Sequence, residues 1–181
     1  MRVCEEGSMN EREKIKKWLV RINGHEGGYT NRSSSADPGG ETKWGISKRS
    51  YPHLDIKNLT LDQAADIYLR DFITPISSRQ LPDAITYQLI DFSVHSGIRR
   101  AVKELQRWMN IIIGGERVEP DGVIGPYTRA KIISFSDSDL VMIITAARMK
   151  FLKDLSNWYD NSRGWTDRMA NNLLYGVEDT D

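Results

Sequence analysis

The chain reads as a mainly α domain with one short β-hairpin beside a cleft. Three observations carry that reading. Segments with apolar residues at helical spacing follow one another along most of the sequence. The first helical segment is followed by a polar, glycine-rich stretch over residues 25–46, unlike anything else in the chain. No repeat or low-complexity linker divides the 181 residues, a length that suits one domain with a buried core.

The elements follow in order. Residues 1–8 read as a loose tail. From Asn10 onward, Ile15, Trp18, Leu19 and Ile22 fall at i, i+3, i+4 and i+7, one apolar helix face. Asn23 and Gly24 end that helix, since both tolerate a left-handed cap. Asn31-Arg32-Ser33-Ser34-Ser35 leads through turn-forming residues into Asp37-Pro38-Gly39-Gly40, with Lys43-Trp44-Gly45-Ile46 as a short strand. Thr60 and Gln63 make a capping box. Leu61, Ala64, Ala65, Tyr68 and Phe72 form the stripe that follows, and Pro75 closes it.

Pro82-Asp83 opens the next helix. Ile85, Leu89, Phe92 and Val94 make it apolar on more than one face, which marks a buried central helix capped by Gly97. Ile98, Ala101, Val102, Leu105, Trp108, Met109 and Ile112 give the most regular helix, stopped by Gly114-Gly115. Pro126 suits the first turn of another. Ser138 or Asp139 caps a long helix carrying Leu140, Ile143, Ile144, Ala147, Phe151, Leu152 and Leu155. Gly164-Trp165 begins a last short helix to about Tyr175, and residues 177–181 form an acidic tail.

Composition narrows the function classes. Lys and Arg number 25, as do Asp and Glu. A neutral total argues against a nucleic-acid binder, which carries a basic excess. Cys4 is the single cysteine, so no internal disulfide forms and the expectation is a terminal thiol. The first twenty residues carry Glu5, Glu6, Glu11 and Glu13 without an apolar run, which is no secretory signal. No run of about 18 apolar residues exists to span a membrane. The expectation is a protein made in the cytoplasm that reaches any outside site by another route. His25, His53 and His95 are scattered and show no metal-ligand spacing, so neither metal nor cofactor is expected.

The chemistry centres on Glu26. It falls just past the first helix, in Glu26-Gly27-Gly28-Tyr29, and a carboxyl group fixed by a tight turn at a cleft suits general acid work. The plain alternative is a surface hairpin with solvated acids. Tyr29 stands close enough to offer an aromatic face to a sugar ring. Trp44, Trp158, Tyr159 and Trp165 offer the same, although aromatic residues at helical spacing more often belong to a core. Arg99 and Arg100 read either as a solvated basic patch or as a surface attracted to an anionic cell wall.

These motifs carry a family likeness. Glu26-Gly27-Gly28-Tyr29, then Asp37-Pro38-Gly39-Gly40 with Thr42, then Gly45-Ile46, resembles glycoside hydrolase family 108, lysozyme-like N-acetylmuramidases of phage lysis and protein export. Asp91-Phe92-Ser93-Val94-His95-Ser96-Gly97 resembles the family's central helix. Leu105-Gln106 with Asp121-Gly122-Val123-Ile124-Gly125-Pro126-Tyr127-Thr128 is similar to the peptidoglycan-binding segment that accompanies it. Gly164-Trp165-Thr166-Asp167-Arg168 resembles its closing motif. The likeness spans residues 10–176.

The resemblance implies a lysozyme-like fold, with a catalytic segment over 9–97 and a helical, peptidoglycan-binding-like segment over 98–176 packed in the same globule. It implies that Glu26 is the catalytic acid, assisted by Asp37 and Thr42. From residue chemistry, Gly27 and Gly28 let the backbone approach a substrate, Tyr29 is the expected aromatic contact, and Trp44 is a further candidate. The substrate implied is the glycan strand of peptidoglycan in the periplasm or cell wall. A monomer is expected, with a holin or another export route as accessory.

One departure stands out. Ten residues separate Glu26 from Asp37, about two more than the resemblance implies, so Asp37 is either the second acid or the anchor of an Asx-turn before Pro38. A carboxyl separation of about 5 Å gives retention, and roughly 6.5–9.5 Å gives inversion. A lytic transglycosylase needs only the acid, and a non-catalytic wall-binding module needs neither. The loop at 121–128 reads either as a wall-anchoring surface or as a structural turn.

Overall fold

The computed structural model describes residues 10–24, 28–34, 37–76, 81–113 and 117–180. The chain divides into two compact units, residues 1–71 and 72–181.

The first unit holds two helices and a small sheet. α1 spans Glu11–Asn23 and is capped by Asn10, whose side chain accepts the Glu13 amide over 2.9 Å. Its buried face is Ile15, Trp18, Leu19 and Ile22, and Gly24 leaves the helix at φ 70. α2 spans Leu61–Tyr68 and opens on the complete Thr60–Gln63 capping box. Ala64, Ala65, Ile67 and Tyr68 face inward from α2. Arg12 and Lys16 of α1 pair with Asp62 and Asp66 of α2 along the exposed seam.

The hairpin is longer than expected and gains a third strand. β1 (Thr30–Ser34), β2 (Asp37–Lys43) and β3 (Ile46–Ser47) form an antiparallel sheet in that order. Thr30 pairs with Thr42, Asn31 with Glu41, and the register shifts before Ser34 meets Asp37. Residues 43–46, expected to be one strand, contain the turn between β2 and β3: Lys43 pairs with Ile46 around Trp44-Gly45. Ile46 is buried, as are Ile56 and Leu59 in the loop that follows. Lys43 Nζ donates to the Lys57 carbonyl and Lys48 Nζ to the Leu54 carbonyl, which fixes that loop beneath the sheet's end.

Pro75 does not close a helix. After α2 the chain widens into a π-helical turn, Leu69–Ile73, and resumes as the short α3, Thr74–Ile76. Proline has no N–H and its ring clashes with the carbonyl four residues back. Inserting one π turn accommodates both and lets the chain run through the proline.

The second unit is built around α4, Asp83–Ser96, on which every residue from Ala84 to Ser93 is buried. α5 (Ile98–Ile113) and α7 (Asp137–Lys153) pack on it and on each other, and α8 (Trp158–Thr180) packs on α7 and α4. The shorter α6, Pro126–Ile133, begins on its proline as expected. Ser136, rather than Ser138 or Asp139, caps α7.

α8 is twice the expected length. It starts at Trp158 and runs through Thr180, well beyond residues 164–175. Only Met169, Asn172 and Gly176 are buried on it. That stripe holds one apolar residue, one amide and one glycine, so no hydrophobic period announces it. A Cβ at Gly176 would lie 2.4 Å from Val141 Cγ1. The glycine is what lets α8 approach α7 so closely.

Candidate active site

Of the seven candidate site residues, Glu26 and Gly27 lie outside the described residues, as does neighbouring His25. Gly28 is exposed directly ahead of β1. The backbone of Asp37 opens β2 opposite Ser34, at the register shift. Tyr29, Thr42 and Trp44 are placed fully.

Strand alternation sorts these side chains. Successive residues of a strand point to opposite sheet faces and cross-strand partners share one. Thr42 therefore shares a face with Thr30 and Ser47, its partners on either side. Glu41 points the other way, with Asn31. Tyr29 joins that second group: its phenol donates to the Glu41 carboxylate and accepts from Asn31. Partial desolvation, then the Glu41 bond, hold the phenol's pKa above its ordinary value. The sheet thus brings Tyr29 beside Glu41 and not beside Thr42.

Glu41 was not a sequence candidate. The available signal was its position, directly before Thr42 in the Gly-Gly-Glu-Thr run, which guarantees that the two residues face opposite ways on an extended strand.

Trp44 is anomalous in two ways. Its φ is 52 and that of Gly45 is 72, positive at both centres of a two-residue hairpin turn, which defines type I′. That turn favours Asn-Gly, and a bulky aromatic residue there is an outlier. The indole Nε1 is also buried with no hydrogen-bond partner among the described residues. Each feature costs on the order of 1–3 kcal/mol, and such costs concentrate at functional positions.

The second unit has a polar centre of a different kind. Asp91 on α4 is fully buried and accepts from Arg148 Nη1 on α7, from Arg168 Nε (3.1 Å) and Nη2 on α8, and from Asn172 Nδ2 (2.6 Å). Asn172 is itself held by Tyr87, whose hydroxyl donates to Oδ1 over 3.2 Å, and by Gln88, which donates to its carbonyl over 2.7 Å. Desolvation pushes the Asp91 pKa up, but the two guanidinium groups and Asn172 outweigh it, and the carboxyl stays ionised well below the ordinary range. This is a structural hub and not a proton donor.

His95, one turn further along α4, retains exposed surface. Crowding by surrounding atoms desolvates the ring without enclosing it. That crowding, followed by the positive Arg168 and Arg148, pushes its pKa down, so the imidazole is neutral at neutral pH. Arg148 could have been found from the sequence. It falls on the apolar face of the run Ile144, Ala147, Phe151, and a cation in a core stripe demands a buried partner.

The loop at 121–128 is locked to α5 by one amide. Gln106, fully buried, donates from Nε2 to Asp121 Oδ1, Val123 O and Thr128 Oγ1, and accepts the Gly122 amide over 2.8 Å. One turn on, Asn110 clamps both polar groups of Val118. The structural reading of this loop accounts for its glycine and its aspartate.

A mainly helical chain with a small antiparallel sheet has the architecture of a lysozyme-like fold. Residues 19–97 match the family model Glyco_hydro_108, described as Glycosyl hydrolase 108. Its likeness to a solved structure reaches further. The structure of Brucella abortus SagA is 28% identical, with a TM-score of 0.77 over 92% of this chain and 95% of that one. The search among curated proteins finds no match. The family supports a peptidoglycan-degrading hydrolase.

Proposed function

We propose that the protein is an N-acetylmuramidase that hydrolyses the β-1,4 bond between N-acetylmuramic acid and N-acetylglucosamine. The observation that carries this reading is the family match over residues 19–97, which contains Glu26, Tyr29, Asp37, Thr42 and Trp44.

The chemistry assigns each residue a task. Glu26 protonates the glycosidic oxygen as the bond from C1 breaks. The sugar left behind develops oxocarbenium character, and a water oxygen attacks C1 to complete hydrolysis. Asp37 either stabilises that charge or activates the water, and Thr42 orients the water from the opposite face of the sheet to Glu41. A glutamate donates a proton at neutral pH only when burial or a neighbouring negative charge raises its pKa. Tyr29, with its ring fixed by Glu41 and Asn31, packs on a sugar face. Gly27 and Gly28 allow the glycan to approach the backbone, and Trp44 closes the end of the sheet.

The biological role extends the same reading. The protein acts as a monomer on glycan strands in the periplasm or wall, in lysis or in export, reaching them through a holin or a comparable route. No nucleic acid and no membrane insertion enters this role; among the described residues, no helix is long and apolar enough to cross a membrane.

Two variants test the assignment. Glu26→Gln should abolish glycan cleavage while leaving sacculus binding intact. Asp37→Ala should reduce cleavage by about 10²-fold or more if Asp37 takes part in the chemistry. Hydrolysis retained in Asp37→Ala would assign Asp37 to the loop alone.

A further inference from the structure

A cavity of about 510 Å³ opens in the second unit, lined by Ser96, Gly97, Ile98, Arg99, Arg100 and Lys103. Three of these six side chains are cationic and none is acidic. The charge is poorly balanced by its neighbours. Arg99 Nε donates to the backbone carbonyl of Asp121 over 3.2 Å, a neutral acceptor. The Asp121 carboxylate is close enough to interact with Arg99 electrostatically, but its Oδ1 is taken by Gln106 and the Val123 amide. Arg100 reaches Glu104 at 3.5 Å, and Arg107 holds the same carboxylate at 2.8 Å. Lys103 has no hydrogen-bond or ion-pair partner among the described residues.

Part of the cavity wall is held in place. A Cβ at Gly122 would fall 2.5 Å from the Arg99 carbonyl oxygen, so the loop held by Gln106 packs directly on the first turn of α5. The Arg100 guanidinium lies over the Phe151 ring, 5.5 Å from its centroid. Arg99 and Arg100 are thus held by the Asp121 carbonyl and the Phe151 ring, and a held cation loses less entropy on binding an anion. Gly97, which precedes α5, has no side chain to cap the helix, and the positive end of α5 adds to the same field.

We infer that this cavity binds a carboxylate of the peptide stems of peptidoglycan, an inference that rests on the proposed muramidase reading. Arginine matches a carboxylate with paired N–H donors. An open concavity of this size has room for a short peptide fragment. Ile98 and the methylene stems of Arg99, Arg100 and Lys103 offer that fragment apolar walls. The second unit would then read the peptide while the residues around Glu26 read the glycan.

The test is a binding titration of the full chain with three probes: a sugar-free stem peptide with free carboxylates, the same peptide amidated, and inorganic phosphate. The free-acid peptide should bind saturably and weaken with salt, and the amidated one should not bind. Arg100→Gln/Lys103→Gln should weaken binding by about tenfold or more. Lys103→Gln alone, which removes no hydrogen bond or ion pair among the described residues, should weaken it in the same direction. A charge-matched control on exposed residues, Arg49→Gln/Arg163→Gln, should bind as the wild type does. Unchanged affinity in the cavity variants, or binding of phosphate without the peptide, would overturn the assignment. Glycan cleavage is scored separately. Peptide binding without cleavage would retire the muramidase reading and keep the cavity; cleavage without peptide binding would do the reverse.

Discussion

Arg168 on α8 donates from Nε to Asp91 Oδ2 on α4 over 3.1 Å, joining residues 77 apart in sequence. Arg148 from α7 shares the same carboxylate, so three helices meet at one buried charge. Replacing Asp91 by alanine strands the Arg148 guanidinium, only 2% exposed. The expected loss is about 3–5 kcal/mol, read as a fall in the denaturant midpoint.

The same pair sets an acid limit on stability. The folded Asp91 carboxyl titrates below its unfolded value. Its contribution is therefore complete above about pH 4, the ordinary aspartate pKa, and is lost as pH falls from there through the folded pKa. Unfolding at pH 7 and pH 3 should show a larger acid loss in the wild type than in Asp91→Asn. Equal losses would place the acid sensitivity elsewhere.

Gly122 has φ 82 and no room for a side chain against Arg99. Gly122→Ala should cost about 2 kcal/mol or more through backbone strain and the clash combined. Thermal unfolding checks this. A shift within 0.5 kcal/mol, the usual range for surface changes, would show that the loop is not clamped on α5.

Trp44 gives a cleaner contrast. Trp44→Phe removes the unpartnered indole N–H but keeps an aromatic ring in the turn. Stability should stay level or rise by about 1 kcal/mol. A loss larger than that would mean the N–H has a partner in the folded protein.

Tyr29→Phe removes the hydroxyl that binds Glu41 and leaves the ring free to rotate. The account of Tyr29 as a sugar contact expects kcat/KM on peptidoglycan to fall roughly 3–10-fold, mostly through KM, with no change in the melting temperature. Full activity would take Tyr29 off the substrate.

Much of the fold was legible because its local signals agree. Asn10, the Thr60–Gln63 box, Gly97 and Pro126 each start or stop a helix where their chemistry says they should. α4 was legible as central because its apolar residues surround it. What escaped the sequence is tertiary. The π turn before Pro75 answers a clash that a proline normally resolves by ending the helix. The full length of α8 depends on a glycine fitting against Val141 and an amide reaching Asp91. Glu41 escaped because strand pairing, not spacing along the chain, brings it to Tyr29 and Asn31.

Mass spectrometry of purified peptidoglycan digested by the wild type and by Glu26→Gln bears on the glycan chemistry itself. Muropeptides ending in reducing N-acetylmuramic acid, present with the wild type and absent with Glu26→Gln, are the expected result. Products ending in anhydro-N-acetylmuramic acid would contradict hydrolysis and make the enzyme a lytic transglycosylase, with the muramic 6-hydroxyl in place of water. Intact glycan from a folded wild-type protein would contradict catalysis altogether.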